Sequence, residues 1–220
     1  MLILKYTNRY ISDVSLPRQI LVVMSKANNT RQFIIEKSAP IFNIKGYAGT
    51  SLNDITTVTG LTKGAIYGNF EDKNEIAIAV YNYNVGGMRK RVGDLVNSKE
   101  MAIDKLFAFT GYYRDGWKQV FERGGCPILN ASIEADDNLP FLKKDVQHTI
   151  SNWVNYVAEL INLGKKQSQF KKSIDAHKYA NTIIILIEGG IMMAKINNDA
   201  KLLFNALDRI ELIIKQELKK

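Results

Sequence analysis

Apolar residues recur at spacings of three and four along most of the chain, and few segments alternate with period two, so the pattern predicts an all-α protein. A first helix is expected over Thr30–Lys45, with Thr30 as N-cap, Phe33, Ile34, Ile41 and Phe42 as apolar positions, and Gly46 just past its end. Pro40 lies inside it and removes one backbone hydrogen bond, which predicts a kink between Glu36 and Pro40. A short helix follows, capped by Thr50 or Ser51, with Leu52, Ile55 and Val58 inward. Gly60 makes a turn, Thr62 caps a third helix carrying Ile66 and Phe70, and Asp72 caps a fourth that runs from Lys73 to about Val92.

Longer helices are expected beyond this point. Lys99–Phe121 reads as one helix, because Ile103, Leu106, Phe107, Thr110, Tyr113, Trp117, Val120 and Phe121 share a face. Gly124-Gly125 ends it, a short helix spans Pro127–Ala135, and Pro140 suits the first turn of a helix reaching Lys166. Over Asp175–Lys195 the polar residues Asn181, Glu188 and Lys195 form one narrow stripe on an otherwise apolar cylinder, so that helix needs burial on more than one side. The last helix carries Leu203, Leu207, Ile210, Ile214 and Leu218. This pair either closes the core of one chain or forms a two-fold, four-helix interface with a second copy. In the second case Ile184, Ile187, Ile191, Leu203, Leu207, Ile210 and Ile214 are the interface residues.

Composition narrows the class without choosing a function. With 46% hydrophobic and 24% charged residues over 220 positions, neither a low-complexity disordered chain nor a membrane protein is expected, and the longest apolar stretch, Ile183–Ile187, ends at Glu188, far short of a spanning helix. The apolar run Ile20–Met24 is too short for the core of a signal peptide, and Cys126 is the sole cysteine, so a reducing, cytoplasmic setting is expected. The net charge of +8 points to a polyanionic partner only weakly. Residues 28–75 balance Arg31, Lys37, Lys45, Lys63 and Lys73 against Glu36, Asp54, Glu71, Asp72 and Glu75, so the excess lies elsewhere.

Placement is more informative than count. The short helices on either side of Gly60 form a helix-turn-helix candidate. With Ile66 and Phe70 inward, the outer side of the third helix presents Gly64, Ala65 and Gly68 between Lys63 and Tyr67. Each glycine costs about 1 kcal/mol relative to alanine in a helix. So small a face suits close approach of something large, such as the major groove of DNA. There Lys63 can reach a guanine edge or a phosphate, and Tyr67 a phosphate or a thymine methyl. Helix N-termini near Ser51 and Lys73 offer amides to phosphates. Read by periodicity alone, the unit is equally a three-helix module without a DNA role, with Tyr67 half-buried and Lys63 solvated.

The run Phe42-Asn43-Ile44-Lys45-Gly46-Tyr47-Ala48-Gly49-Thr50-Ser51-Leu52-Asn53-Asp54-Ile55, continued by Thr59-Gly60-Leu61-Thr62-Lys63-Gly64-Ala65-Ile66-Tyr67-Gly68-Asn69-Phe70-Glu71-Asp72-Lys73, resembles the DNA-binding domain of the TetR (tetracycline-repressor-like) family of bacterial transcription regulators. The chain departs from the usual pattern at Thr56, Thr59 and Asn69, where the family often has Ala, Ala and His. The resemblance implies an N-terminal helix-turn-helix domain over 28–75, preceded by an extension over 1–27. A larger helical effector-binding and dimerisation domain is implied over 76–220. It further implies DNA contacts from Thr50, Ser51, Thr62, Lys63, Gly64, Tyr67, Asn69 and Lys73, with a palindromic double-stranded operator bound by a homodimer and released by a small-molecule effector. No cofactor, metal or membrane is implied.

Gly125-Cys126-Pro127-Ile128-Leu129-Asn130 followed by Glu134 also resembles a stretch found in part of that family. Thr110, Tyr113, Trp117, Asn130 and Trp153 are candidate pocket residues, largely aromatic and without several charges, which points to an apolar or neutral effector. An aromatic stripe at helical spacing serves a core equally well. A rival class is an enzyme using Cys126 with His148 or His177, or a metal site built from the three, although their spacing matches no known ligand set. A helical interaction or small-molecule-binding protein without DNA binding is the other alternative.

Overall fold

A computed structural model describes the chain from residue 18 to residue 220, with side chains from Asn28 onward. The helices are α1 (Arg18–Lys45), α2 (Leu52–Thr59), α3 (Lys63–Tyr67), α4 (Lys73–Asn97) and α5 (Ala102–Asp115). They continue as α6 (Trp117–Glu122), α7 (Pro127–Asp137), α8 (Pro140–Lys166), α9 (Ala176–Asn197) and α10 (Ala200–Leu212), and a π-helical segment covers Ile213–Leu218. No strand forms among the described residues; Phe170 and Lys219 make one isolated antiparallel bridge.

Both expected domain boundaries fall inside helices. The first 17 positions of the expected extension lie outside the described residues, but its last part is already the start of α1, so no break falls at residue 27. α1 also runs as helix through Pro40, and just beside it Asn84 Nδ2 donates to Ala39 O at 3.0 Å. The expected boundary at residue 75 lies inside α4, which continues past Gly86-Gly87 to Asn97.

The helix expected over Lys99–Phe121 is two helices. Gly116 leaves helical geometry at φ −94°, ψ 8° and closes α5 by donating to Tyr112 O at 3.2 Å. A Cβ there would stand 2.6 Å from Tyr112 O, so the close approach requires glycine. The change of direction sets Trp117 against Phe121 and Phe204, with ring centroids 5.5 and 6.3 Å apart.

The core is continuous from end to end. Ile34, Phe42, Tyr47, Ile55, Ile66 and Phe70 close the first three helices onto Ile76, Val80 and Tyr81 of α4, all buried. Each such side chain contributes about 1.5–3 kcal/mol on burial, which holds helices this short in place where their own propensity would not. α8 packs on α5, α7 and α9, and α9 packs on α10. At the end of α8, Gly164 accommodates the buried ring of Phe170, which a methyl group would overlap.

Candidate nucleic-acid interface

Local chemistry fixes the turn between α2 and α3. Ser51 caps α2 by accepting from Asp54 N, while Asp54 Oδ2 accepts from Ser51 N at 2.9 Å, a reciprocal capping box. Gly60 ends α2 in the left-handed region at φ 69°, which glycine adopts without steric cost. Thr62 caps α3 by accepting from Ala65 N at 3.2 Å. Ile66 faces inward, fully buried, whereas Lys63, Gly64, Ala65 and Tyr67 are exposed. Neither Lys63 nor Tyr67 has an ion pair or hydrogen bond among the described residues. The outer face of α3 therefore carries two unengaged polar groups around a surface of backbone and one methyl group.

The eight expected DNA-contact residues do not all lie on that face. Ser51, Thr62, Lys63, Gly64 and Tyr67 are exposed. Thr50 is corrected: it is fully buried, and its hydroxyl donates to Gly46 O at 2.7 Å, so it secures the loop from inside. Asn69 is half-buried and donates to Ala65 O at 2.9 Å. Lys73 is half-buried as well, its ammonium held by Thr50 O at 2.7 Å and Ala48 O at 3.1 Å. The helix N-termini are also engaged from within. Asp72 Oδ1 takes Glu75 N at 2.8 Å and Glu75 Oε2 takes Glu71 N at 2.6 Å, so carboxylates occupy the end of α4 where phosphate was expected.

Two ion pairs brace this unit internally, and a set of polar bonds joins it to the remainder of the chain. Arg31 lies over the Phe70 ring at 4.1 Å, donates to Asn69 O at 2.6 Å and pairs with Glu75 at 2.7 Å. Lys45 pairs with Asp54 at 2.7 Å, and that hydrogen bond, with those from Ser51, holds the Asp54 carboxyl well below its ordinary range. Glu134 of α7 accepts from Tyr47 N and Ala48 N. Asn43 of α1 donates to the carbonyls of Arg123 and Gly125, and Asn130 returns a bond to Asn43 O at 3.0 Å. Gly124, at φ 92°, lies where a Cβ would stand 2.6 Å from Asn43 O. Asn130 and Glu134 belong to a stretch singled out in the sequence, but nothing there shows that it bonds to α1 and the loop after it.

Of the expected effector residues, Trp153 alone lines the cavity of about 400 Å³ that opens between α4 and α8. Tyr113 lines a second cavity of about 250 Å³ beside α1. Thr110 is buried and bonded to the carbonyls of Leu106 and Phe107, Trp117 packs on Phe204, and Asn130 is bonded to Asn43 and Gly124. These five residues do not converge on one site.

The expected interface residues also require correction. Ile187, Ile191, Leu203, Leu207, Ile210 and Ile214 are all buried within the single chain, and Ile184 is half-buried. The reason is the polar stripe of α9, which lies partly inside. Glu188 accepts from the buried Cys126 thiol at 3.0 Å, and Lys195 donates to Gly124 O. Burial pushes the Glu188 carboxyl up to about 7, and burial followed by the Glu188 charge pushes the Cys126 thiol well above its usual range. The exposed part of α9 includes an apolar set, Ile185, Met192, Met193 and Ile196, with Ile196 77% accessible, beside the exposed Asn181 and Lys195. By length and composition α9 is the one candidate membrane span among the described residues, and it packs here against α8 and α10. His148 and His177 are exposed, away from the buried Cys126.

A helix-turn-helix whose outer face is small and polar, fused to a larger bundle of helices, defines a DNA-binding transcription regulator. Residues 34–80 match the family model for bacterial regulatory proteins of the tetR family, and residues 102–210 match the tetracyclin repressor-like C-terminal domain. The chain belongs to the TetR family of transcription regulators. It is 42% identical over 174 residues to the regulator TtgR of Pseudomonas putida, covering 74% of this chain and 79% of that one. It is 21% identical over 169 residues to the transcriptional repressor DhaR of a Mycobacterium species, covering 77% and 84%. A TetR-family regulator from Cytophaga hutchinsonii superimposes with a TM-score of 0.84 at 37% identity, covering 88% of this chain and 96% of that one. The family consists of transcription regulators rather than enzymes.

Proposed function

We propose that this regulator is a cytoplasmic repressor that binds a palindromic operator as a homodimer and leaves it when a small molecule occupies the helical bundle. The observation that carries the reading is the outer face of α3, where Lys63 and Tyr67 are exposed and unengaged beside Gly64 and Ala65. Major-groove edges and phosphates supply the partners that these groups lack within the chain. Ser51 and Thr62 lie on the approach, and Lys73, Thr50 and Asn69 shape the loop and helix that present them. The reader extends from α1 into the start of α4, and the sensing half comprises the helices after it.

The second copy docks on the exposed apolar face of α9, Ile185, Met192, Met193 and Ile196, together with Ile133 of α7. A patch of this kind on a soluble chain calls for a partner, and the two-fold pairing sets two α3 helices for successive half-sites. Gel shift with the DNA flanking its own gene tests the reading. Sequence-selective binding that weakens steeply between low and moderate salt is expected, because phosphate contacts release counterions. Absence of both selectivity and salt dependence in the ligand-free protein would overturn it.

A further inference from the structure

The cavity between α4 and α8 has a chemical character of its own. α4 carries Gly86 and Gly93 seven residues apart on the side that lines it, each less favourable than alanine in a helix interior. Nothing lies within 4 Å of where a Cβ at Gly86 would stand, so the glycines leave space that the fold does not fill. The opposite wall is aromatic. Phe109 meets Trp153 at 6.2 Å and Tyr156 at 6.4 Å between ring centroids. The indole N–H of Trp153 and the hydroxyl of Tyr156 are both buried with no hydrogen-bond partner among the described residues. A buried polar group left unpaired is destabilising, and a ligand acceptor would relieve it.

The charge on the lining has one sign. Arg89 and Lys90 border the cavity and no acidic residue lines it. Lys90 is engaged by Asp94 at 2.8 Å, whereas Arg89 has no ion pair or hydrogen bond among the described residues. A free guanidinium presents a planar fork of donors that suits a carboxylate. Unpaired donors, a guanidinium at the rim and aromatic walls together describe the complement of a planar ring bearing an oxyanion. The volume, about 400 Å³, is at the small end of the range for drug-sized ligands.

We propose that the α4–α8 cavity binds a small aromatic carboxylate, its ring against Phe109, Trp153 and Tyr156 and its carboxylate on Arg89. The inference rests on the reading of this bundle as the sensing half, and it replaces the apolar or neutral effector expected from the sequence. Titration calorimetry of the full chain at neutral pH with benzoate, salicylate and cinnamate tests it, against benzamide, cinnamamide and cyclohexanecarboxylate. At least one aromatic acid binds saturably, with its amide and the alicyclic acid each roughly tenfold weaker or worse. Arg89→Gln, at an exposed position that leaves the fold intact, lowers affinity for the acid roughly tenfold and leaves the amide unchanged. Gly86→Leu fills the space and abolishes binding of both.

Equal binding of acid and amide, an Arg89→Gln protein that binds the acid as the wild type does, or no saturable binding by any aromatic acid up to millimolar concentration would each overturn the proposal. The gel shift separates this result from the regulator reading. Selective DNA binding without carboxylate binding defeats the ligand assignment alone, and carboxylate binding without DNA binding defeats the regulator reading alone.

Discussion

The Glu134 carboxylate accepts two successive backbone N–H groups, that of Tyr47 at 2.8 Å and that of Ala48 at 2.7 Å. One side chain of α7 thus holds the loop whose carbonyls bind Lys73, and the larger helical bundle grips the helix-turn-helix unit through its backbone. Glu134→Ala leaves both amides without their acceptor. The expected cost is about 1–3 kcal/mol in urea unfolding, with faster amide exchange at Tyr47 and Ala48 than elsewhere in the reader.

Two lysines of the expected DNA-contact set differ in what they do within the chain. Lys63 is exposed and unengaged, so Lys63→Ala should leave the unfolding midpoint unchanged and reduce the salt dependence of operator binding by about one phosphate contact. Lys73 is bonded to Ala48 O and Thr50 O, so Lys73→Met should lower stability by roughly 1–2 kcal/mol before any DNA is added. Urea unfolding beside gel shifts at several salt concentrations distinguishes them; identical behaviour of the two variants would contradict the assignment.

Glu188 gives the bundle a pH dependence of known sign. Its carboxyl is pushed up to about 7 by burial, above the ordinary 4.5. Between those values the folded chain holds a proton that the unfolded chain has released. The contribution to stability is therefore complete below about pH 4.5 and is lost as pH rises through 7, up to roughly 3 kcal/mol in all. Glu188→Gln should remove that slope, so urea midpoints at pH 5 and pH 8 should differ less in the variant than in the wild type.

Charge on the outer face of α9 should separate the copies without unfolding them. Ile185→Glu with Ile196→Glu should sediment as a folded monomer, since both side chains are exposed in the single chain. Ile191→Arg buries a charge at a position 1% accessible and should unfold the chain instead. A double variant that still sediments as a dimer would place the interface elsewhere.

Periodicity made the helices legible wherever one face is buried against one neighbour, as in α8, whose stripe includes Val154, Val157 and Ile161. It failed where local geometry outweighs pattern. Gly116 divides a continuous apolar face because the chain turns there, and nothing in the spacing of Tyr113 and Trp117 marks the change of direction. The α9 stripe misled for a related reason. Of its three polar residues only Glu188 turns inward, to the buried Cys126, while Asn181 and Lys195 stay exposed and the apolar Ile185 and Ile196 face outward as well. Within the reader, residue type located Lys63 and Tyr67, but only the fold distinguishes Thr50, which secures the loop, from Ser51, which faces solvent.

Gly64 has a further consequence. A Cβ there would meet nothing closer than Thr62 Oγ1 at 4.0 Å, and Ala65 beside it is exposed. The bonds that fold α3 run through backbone groups, Ala65 N to the Thr62 cap and Gly64 O to Gly68 N, and its burial through Ile66, so the side-chain positions at 64 and 65 carry none of it. The side chains at these two sites can therefore be exchanged without a clash: on the function proposed above, longer polar groups there would redirect the protein to new DNA sequences, and a replacement for Gly64 would also remove a glycine's cost from the helix.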